Sequence, residues 1–176
     1  MAITLITGGT RSGKSYFAVQ QALTRRDNNR YFIATAVAFD DEMNERIKKH
    51  KDERADNFTT IEAPYDVSSA IESIPDNASI ILIDCLTVWI GNLMYRFDAD
   101  PQKITDEINI VIAALQKKQV DCICVTNEVG MGIVPENKEA RFFRDIAGMV
   151  NRSIASIAGE VVICICGIPH RIKPEK

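Results

Sequence analysis

The sequence predicts an α/β fold, a largely parallel central sheet flanked by helices, formed as one domain over residues 1–176. Three observations carry that reading. Short apolar runs alternate with helical patterns along the whole chain, as in a series of βαβ units. The first run, Ile3-Thr4-Leu5-Ile6-Thr7, leads into a glycine-rich loop and then into a helical stretch from Ser15 to Leu23. A later run, Ile80-Ile81-Leu82-Ile83-Asp84, is four aliphatics closed by a carboxylate, placed as a strand of a parallel sheet whose ligands sit outside the carboxyl ends.

The strands expected from these runs are Ile3–Thr7, Arg30–Ala34, Phe58–Ile61, Ser79–Asp84, Val120–Thr126 and Glu160–Cys166, with helices between them. Ile104, Ile108, Val111, Ile112 and Leu115 recur at helical spacing, and so do Phe142, Phe143, Ile146, Met149, Val150, Ile154 and Ile157. Both stripes read as core-facing. The segment 168–174 reads as irregular chain or a short edge strand.

Composition narrows the function classes. Of 176 residues, 46% are hydrophobic and 26% charged, ordinary for a globular chain. The balance of 21 basic against 24 acidic residues gives a net charge of −3, which argues against a general nucleic-acid surface. The N-terminus lacks the basic region of a signal peptide, and no apolar run reaches membrane-spanning length, so the expected location is the cytoplasm. Five cysteines without a secretion signal argue against a disulfide framework. Cys122/Cys124 and Cys164/Cys166 read as buried small residues; four thiols converging on a metal require the two strands to be neighbours.

The chemistry starts at Gly8-Gly9-Thr10-Arg11-Ser12-Gly13-Lys14-Ser15, which fits G-x-x-x-x-G-K-[ST] at every fixed position between a strand and a helix. This is the P-loop NTPase signature. Gly8 and Gly13 let the backbone turn and approach phosphate closely, and successive N–H groups with the following helix N-terminus form an anion nest. Lys14 is placed to neutralise β- and γ-phosphates, and Ser15 to ligate Mg²⁺. Asp84, at the carboxyl end of its strand, is a second candidate for holding Mg²⁺, directly or through water.

His50 sits within Lys48-Lys49-His50-Lys51-Asp52-Glu53-Arg54, at the end of a helical pattern containing Met43 and Ile47. The neighbouring cations keep the imidazole neutral, hence nucleophilic, and attract polyphosphate. The simpler reading of the same residues is a solvated basic helix end, and chemistry alone slightly favours it. Thr126 to Pro135 is a glycine-containing loop at the ligand end of the sheet, suited to moving over a substrate or to plain connection. Arg141 and Arg144 are candidates for phosphate contacts or surface ion pairs.

Taken together, these segments resemble the bifunctional adenosylcobinamide kinase / adenosylcobinamide-phosphate guanylyltransferase family of cobalamin biosynthesis. The likeness rests on Thr7–Ser15, Tyr31–Arg54, Ile80–Thr87 and Thr126–Asn151, in order and spacing, with the T-N-E-V-G-x-G-x-V-P run the most specific. The resemblance implies a RecA-like architecture and a homotrimer. It implies that His50 attacks the α-phosphorus of GTP and carries GMP covalently. It also implies a nucleotide site made of Gly8–Ser15, Ile33, Ala34, Thr35, Lys51, Asp52, Glu53, Arg54, Glu62 and Asp84, with Glu62 suited to a guanine edge. The substrates it implies are GTP, ATP, adenosylcobinamide and adenosylcobinamide-phosphate, with Mg²⁺. Asn151-Arg152, Lys49 and Asp84 replace Asn-Gln, a second histidine and Glu found in some relatives; no group the mechanism needs is lost. Two rival readings are a single-step P-loop small-molecule kinase and a nucleotide-dependent switch or assembly ATPase.

Overall fold

The computed structural model describes residues 2–25, 27–37 and 55–174. Seven strands form one sheet: β1 (Ile3–Gly8), β2 (Arg30–Ala34), β3 (Thr59–Glu62), β4 (Ile80–Asp84), β5 (Cys122–Val125), β6 (Glu160–Ile165) and β7 (Ile168–Lys173). Their order is β3-β2-β4-β5-β1-β6-β7. β1 to β6 are mutually parallel, and β7 returns antiparallel along β6. The described helices are α1 (Lys14–Leu23), α2 (Val67–Ser73), α3 (Leu86–Arg96), α4 (Pro101–Lys117) and α5 (Lys138–Ile157). Each of the six expected strands is present with its ends moved by no more than two residues. Segment 168–174 takes the edge-strand option. The helix expected around Met43 to His50 lies outside the described residues.

Helices cover both faces of the sheet. Ile81 and Ile83 of β4 point into a core shared with Trp89, Ile108 and Val150, on the side of α2 to α5. Ile80 and Leu82 point the other way, against Ala18 and Ala22 of α1. This two-residue alternation within an unbroken aliphatic run is what a strand buried on both faces requires. The α4 stripe is buried at Ile104, Ile108, Val111 and Leu115, and the α5 stripe at Ile146, Val150 and Ile154. Asp100 caps α4 by accepting from the Gln102 and Lys103 N–H groups, with Pro101 opening the helix.

The cysteine pairs do not converge. β1 lies between β5 and β6. Cys122 and Cys124 face the α2–α5 side, Cys164 faces α1, and Cys166 is exposed in the β6–β7 turn at φ 53°. All five are free thiols, and no group of three metal-capable side chains occurs among the described residues.

Because β1 to β6 are parallel, their carboxyl ends gather at one edge. Gly8, Ala34, Glu62, Asp84 and Val125 all terminate there. One strand, β5, separates the loop-bearing β1 from the carboxylate-bearing β4.

Candidate active site

The loop after β1 is held open by glycine. Gly8 has φ 153°, and a Cβ there would lie 2.5 Å from the Cys164 carbonyl oxygen and 2.6 Å from Ser12 Oγ. Gly13, at φ 89°, stands against Gly167, whose Cα would be 3.1 Å from an added Cβ. The Ser12 N–H donates to Gly9 O at 3.2 Å, and the Gly167 N–H donates to Ser12 O at 3.0 Å. The β6–β7 turn therefore props the loop from behind. Lys14 is buried and its ammonium donates to Gly9 O at 3.1 Å, folded across the loop mouth. The Thr7 and Ser12 hydroxyls are buried without a hydrogen-bond partner among the described groups. Such orphaned donors beside a glycine cradle suit an anion with several acceptor oxygens.

The other strand ends lie alongside. Residue pairings run Ile6 to Val125 to Asp84 to Ala34 to Glu62 across β1, β5, β4, β2 and β3. At about 4.8 Å per strand, Asp84 is about 10 Å across the sheet from β1, and Glu62 about 19 Å. Asp84 is half-buried and Glu62 exposed. Ile33 is buried, Ala34 partly so. Thr35 is fully buried, and its hydroxyl both accepts from Cys85 N–H at 2.8 Å and donates to Cys85 O at 2.9 Å. Its carbonyl accepts from Asn92 Nδ2 at 2.8 Å. Thr35 thus ties β2 to the β4–α3 junction. His50, Lys51, Asp52, Glu53 and Arg54 lie outside the described residues. Arg141 donates to Pro135 O at 3.0 Å, and Arg144 pairs with Asp145 at 2.8 Å. The first secures a loop end; the second takes the surface ion-pair reading.

Sequence reasoning missed a buried polar chain beside the loop. The Asn127 N–H donates to Thr87 Oγ1 at 2.6 Å, and Thr126 Oγ1 donates to Asn151 Oδ1 at 2.7 Å. Thr126 has one proton, so Thr87 is the donor in the 3.0 Å Thr87–Thr126 contact. Asn151 Nδ2 closes the circuit onto Asn127 O at 3.1 Å. The next residue, Glu128, gives its N–H to Gly8 O at 3.1 Å, fixing the 127–130 segment against the phosphate loop. A cleft of about 450 Å³ opens next to it, between Thr87, Val88 and Gly91 of α3, Asn127 and Val129, and Phe143 of α5. The available signal was Asn151, a polar residue one position from the apolar α5 stripe.

The charges of Lys14 and Asp84 are felt at the buried thiols beside the site. Burial, and then the Asp84 charge, push the Cys85 thiol up to about 12, with Lys14 opposing. Burial likewise raises Cys164, again opposed by Lys14. The ammonium therefore acts on both the β4 and β6 ends of the site, while neither thiol is ionised near neutrality.

Comparison with known proteins identifies the family. A family model described as cobinamide kinase / cobinamide phosphate guanyltransferase matches residues 4–172. The chain is 43% identical over 182 residues to the bifunctional adenosylcobalamin biosynthesis protein CobU of Salmonella typhimurium, covering 96% of this chain and 98% of that one. It is 40% identical over 180 residues to the protein of the same name in Escherichia coli, covering 96% and 98%. Among solved structures, the flagellar accessory protein FlaH of Methanocaldococcus jannaschii superposes with a TM-score of 0.57 at 15% identity, over 99% of this chain and 79% of that one. That last likeness concerns the fold alone, a RecA-like, largely parallel sheet flanked by helices. The chain belongs to the cobinamide kinase / cobinamide phosphate guanyltransferase family and is an enzyme of cobalamin biosynthesis.

Proposed function

We propose that one triphosphate cradle serves two consecutive transfers. In the first, a nucleoside triphosphate gives its γ-phosphoryl group to the hydroxyl on the aminopropanol arm of adenosylcobinamide. In the second, His50 attacks the α-phosphorus of GTP, pyrophosphate leaves, and the phosphate of adenosylcobinamide-phosphate takes GMP from the histidine. The products are adenosylcobinamide-GDP and free enzyme. The observation that supports this best is the loop itself: Gly8 and Gly13 without room for a Cβ, Lys14 folded over the mouth, and buried Ser12 and Thr7 hydroxyls awaiting acceptors.

Gly8, Gly9, Thr10, Arg11, Ser12, Gly13, Lys14 and Ser15 would grip the β- and γ-phosphates in the first step and the departing pyrophosphate in the second. Ser15 and Asp84 would hold Mg²⁺. Two oxygen donors suit an ion that keeps several waters and takes its remaining ligands from phosphate. The ion would supply charge neutralisation on the phosphates. From the loop to Glu62 is a span on the scale of a nucleoside triphosphate laid lengthwise, so Glu62 is proposed to accept from the guanine edge. Ile33, Ala34 and Thr35 would line the path between through backbone and apolar surface, because the Thr35 hydroxyl is committed to Cys85. Lys51, Asp52, Glu53 and Arg54 complete the proposed nucleotide site by family resemblance. Covalent catalysis divides a transfer between two anions into two easier steps.

The proposal includes a cytoplasmic homotrimer. Met131, Ile133 and Val134 on the loop before α5, and Ile165, Ile168 and Ile172 at the β7 edge, are exposed apolar residues suited to meeting another subunit. No described helix is long and apolar enough to cross a membrane.

Incubation with α-labelled GTP and Mg²⁺ is expected to leave acid-labile, alkali-stable label on the protein, and His50→Ala to abolish it. Label retained by His50→Ala would remove the assigned nucleophile. Kinase turnover without any adduct would favour a single-step small-molecule kinase.

A further inference from the structure

We propose that the cleft between α3, the 127–129 segment and Phe143 seats the amino-alcohol arm of the corrinoid, and that Glu128 is the general base for its phosphorylation. The inference rests on the kinase half of the proposed function and adds to it the acceptor site and the base.

Three independent features converge. First, the Glu128 N–H to Gly8 O bond, 3.1 Å, fastens this residue to the first position of the phosphate loop. Its chain neighbours Asn127 and Val129 both line the cleft, so its backbone links the loop to the cleft wall. Second, its half-buried carboxylate is oriented by two long hydrogen bonds, from Asn151 Nδ2 at 3.5 Å and from the Gly130 N–H at 3.4 Å. A carboxylate held in place by fixed donors is the type of group that general-base catalysis uses. Third, Asn127 Oδ1 is buried at the wall of the cleft without a hydrogen-bond partner among the described residues. An unpaired buried acceptor is costly, and an incoming O–H or N–H donor would satisfy it. Beside the polar Thr87 and Asn92, the lining residues Val88, Val129 and Phe143 are apolar and suit the methyl-bearing carbon skeleton of the arm.

In the step, the hydroxyl oxygen attacks the γ-phosphorus and the bond from γ-phosphorus to the β–γ bridging oxygen breaks. The hydroxyl proton passes to the Glu128 carboxylate, and the nucleoside diphosphate carries away the bond electrons. The proton then leaves to water. The second transfer differs in kind, because its acceptor is already a phosphate anion and has no proton to lose. A base is needed in one reaction and idle in the other.

That difference defines the test. In Glu128→Gln, phosphorylation of adenosylcobinamide is expected to fall in kcat by about 10²- to 10⁴-fold, with KM for the corrinoid changed little. Guanylyl transfer to supplied adenosylcobinamide-phosphate should keep its rate. Glu128→Asp should recover part of the kinase rate. Gly91→Leu, whose added Cβ meets only Phe143 Cε2 at 3.9 Å, would extend into the cleft and is expected to raise KM for the corrinoid substrate. A kinase rate unchanged in Glu128→Gln would overturn the base. A parallel loss of both transfers would overturn it too, by showing that the residue only supports the loop. An unchanged KM in Gly91→Leu would overturn the cleft. Wild-type protein that performs guanylyl transfer yet never phosphorylates the hydroxyl would overturn the kinase reading beneath both.

Discussion

At residue scale the site depends on groups whose polar atoms are already assigned and on a few whose atoms are not. Thr126 is fully buried, yet its hydroxyl satisfies Thr87 on one side and Asn151 on the other. Thr126→Val keeps the volume and removes both bonds. It leaves Asn151 Oδ1 and the Thr87 proton unpaired in the interior. The expected loss is about 1–3 kcal/mol, read as a lower denaturant midpoint with an unchanged slope. Gly8, Gly13 and Lys14 were legible directly, since a P-loop is a local motif whose chemistry follows from spacing. Thr35 was legible only as a position. Its role as a tie to Cys85 depends on β2 and β4 being neighbours, which no local pattern states. The Thr87–Thr126–Asn151 chain was hidden for the same reason: it joins residues 39 and 25 positions apart in sequence.

At the scale of elements, strand existence followed from apolar runs, while their order did not. The six parallel strands appear where alternation and β-formers place them, but the insertion of β5 between β1 and β4 is a matter of crossover connections. It is that insertion which separates Asp84 from the loop and brings Thr126 to Glu128 beside it. The β6–β7 turn precedes a segment, 168–174, that reads in the sequence as irregular chain or a short edge strand. It proves to be a support, because Gly167 packs on Gly13 and donates to Ser12 O at 3.0 Å. Gly167 has φ 81°, so Gly167→Ala strains the turn by about 1–2 kcal/mol with no clash at the added Cβ. The expected outcome is weaker GTP binding by equilibrium titration. Gly148→Ala, in open space on α5, is the matched control and should bind GTP normally. Equal affinity in both variants would show that the turn does not shape the loop.

At the scale of the whole molecule, the core carries titratable groups that stay silent near neutrality. Burial pushes the Cys85 and Cys122 thiols from 9.0 up to about 12 and raises Cys124 as well. Below pH 9 folded and unfolded chains both keep these protons, so their contribution to stability is fully present. Between pH 9 and 12 the unfolded chain loses protons that the folded chain retains, and stability falls. Denaturant unfolding across that window should show the decline, with a shallower slope in Cys124→Ala; an unaltered slope would show that the thiols are not responsible. The molecule's larger claim is that a single phosphate cradle at the carboxyl edge of the sheet serves both transfers. One preparation of Lys14→Ala, assayed for γ-phosphoryl transfer to adenosylcobinamide and for pyrophosphate release from GTP, tests it most directly. A shared cradle requires both rates to fall together, by about 10²-fold or more. Loss of one with retention of the other at its full rate would contradict it.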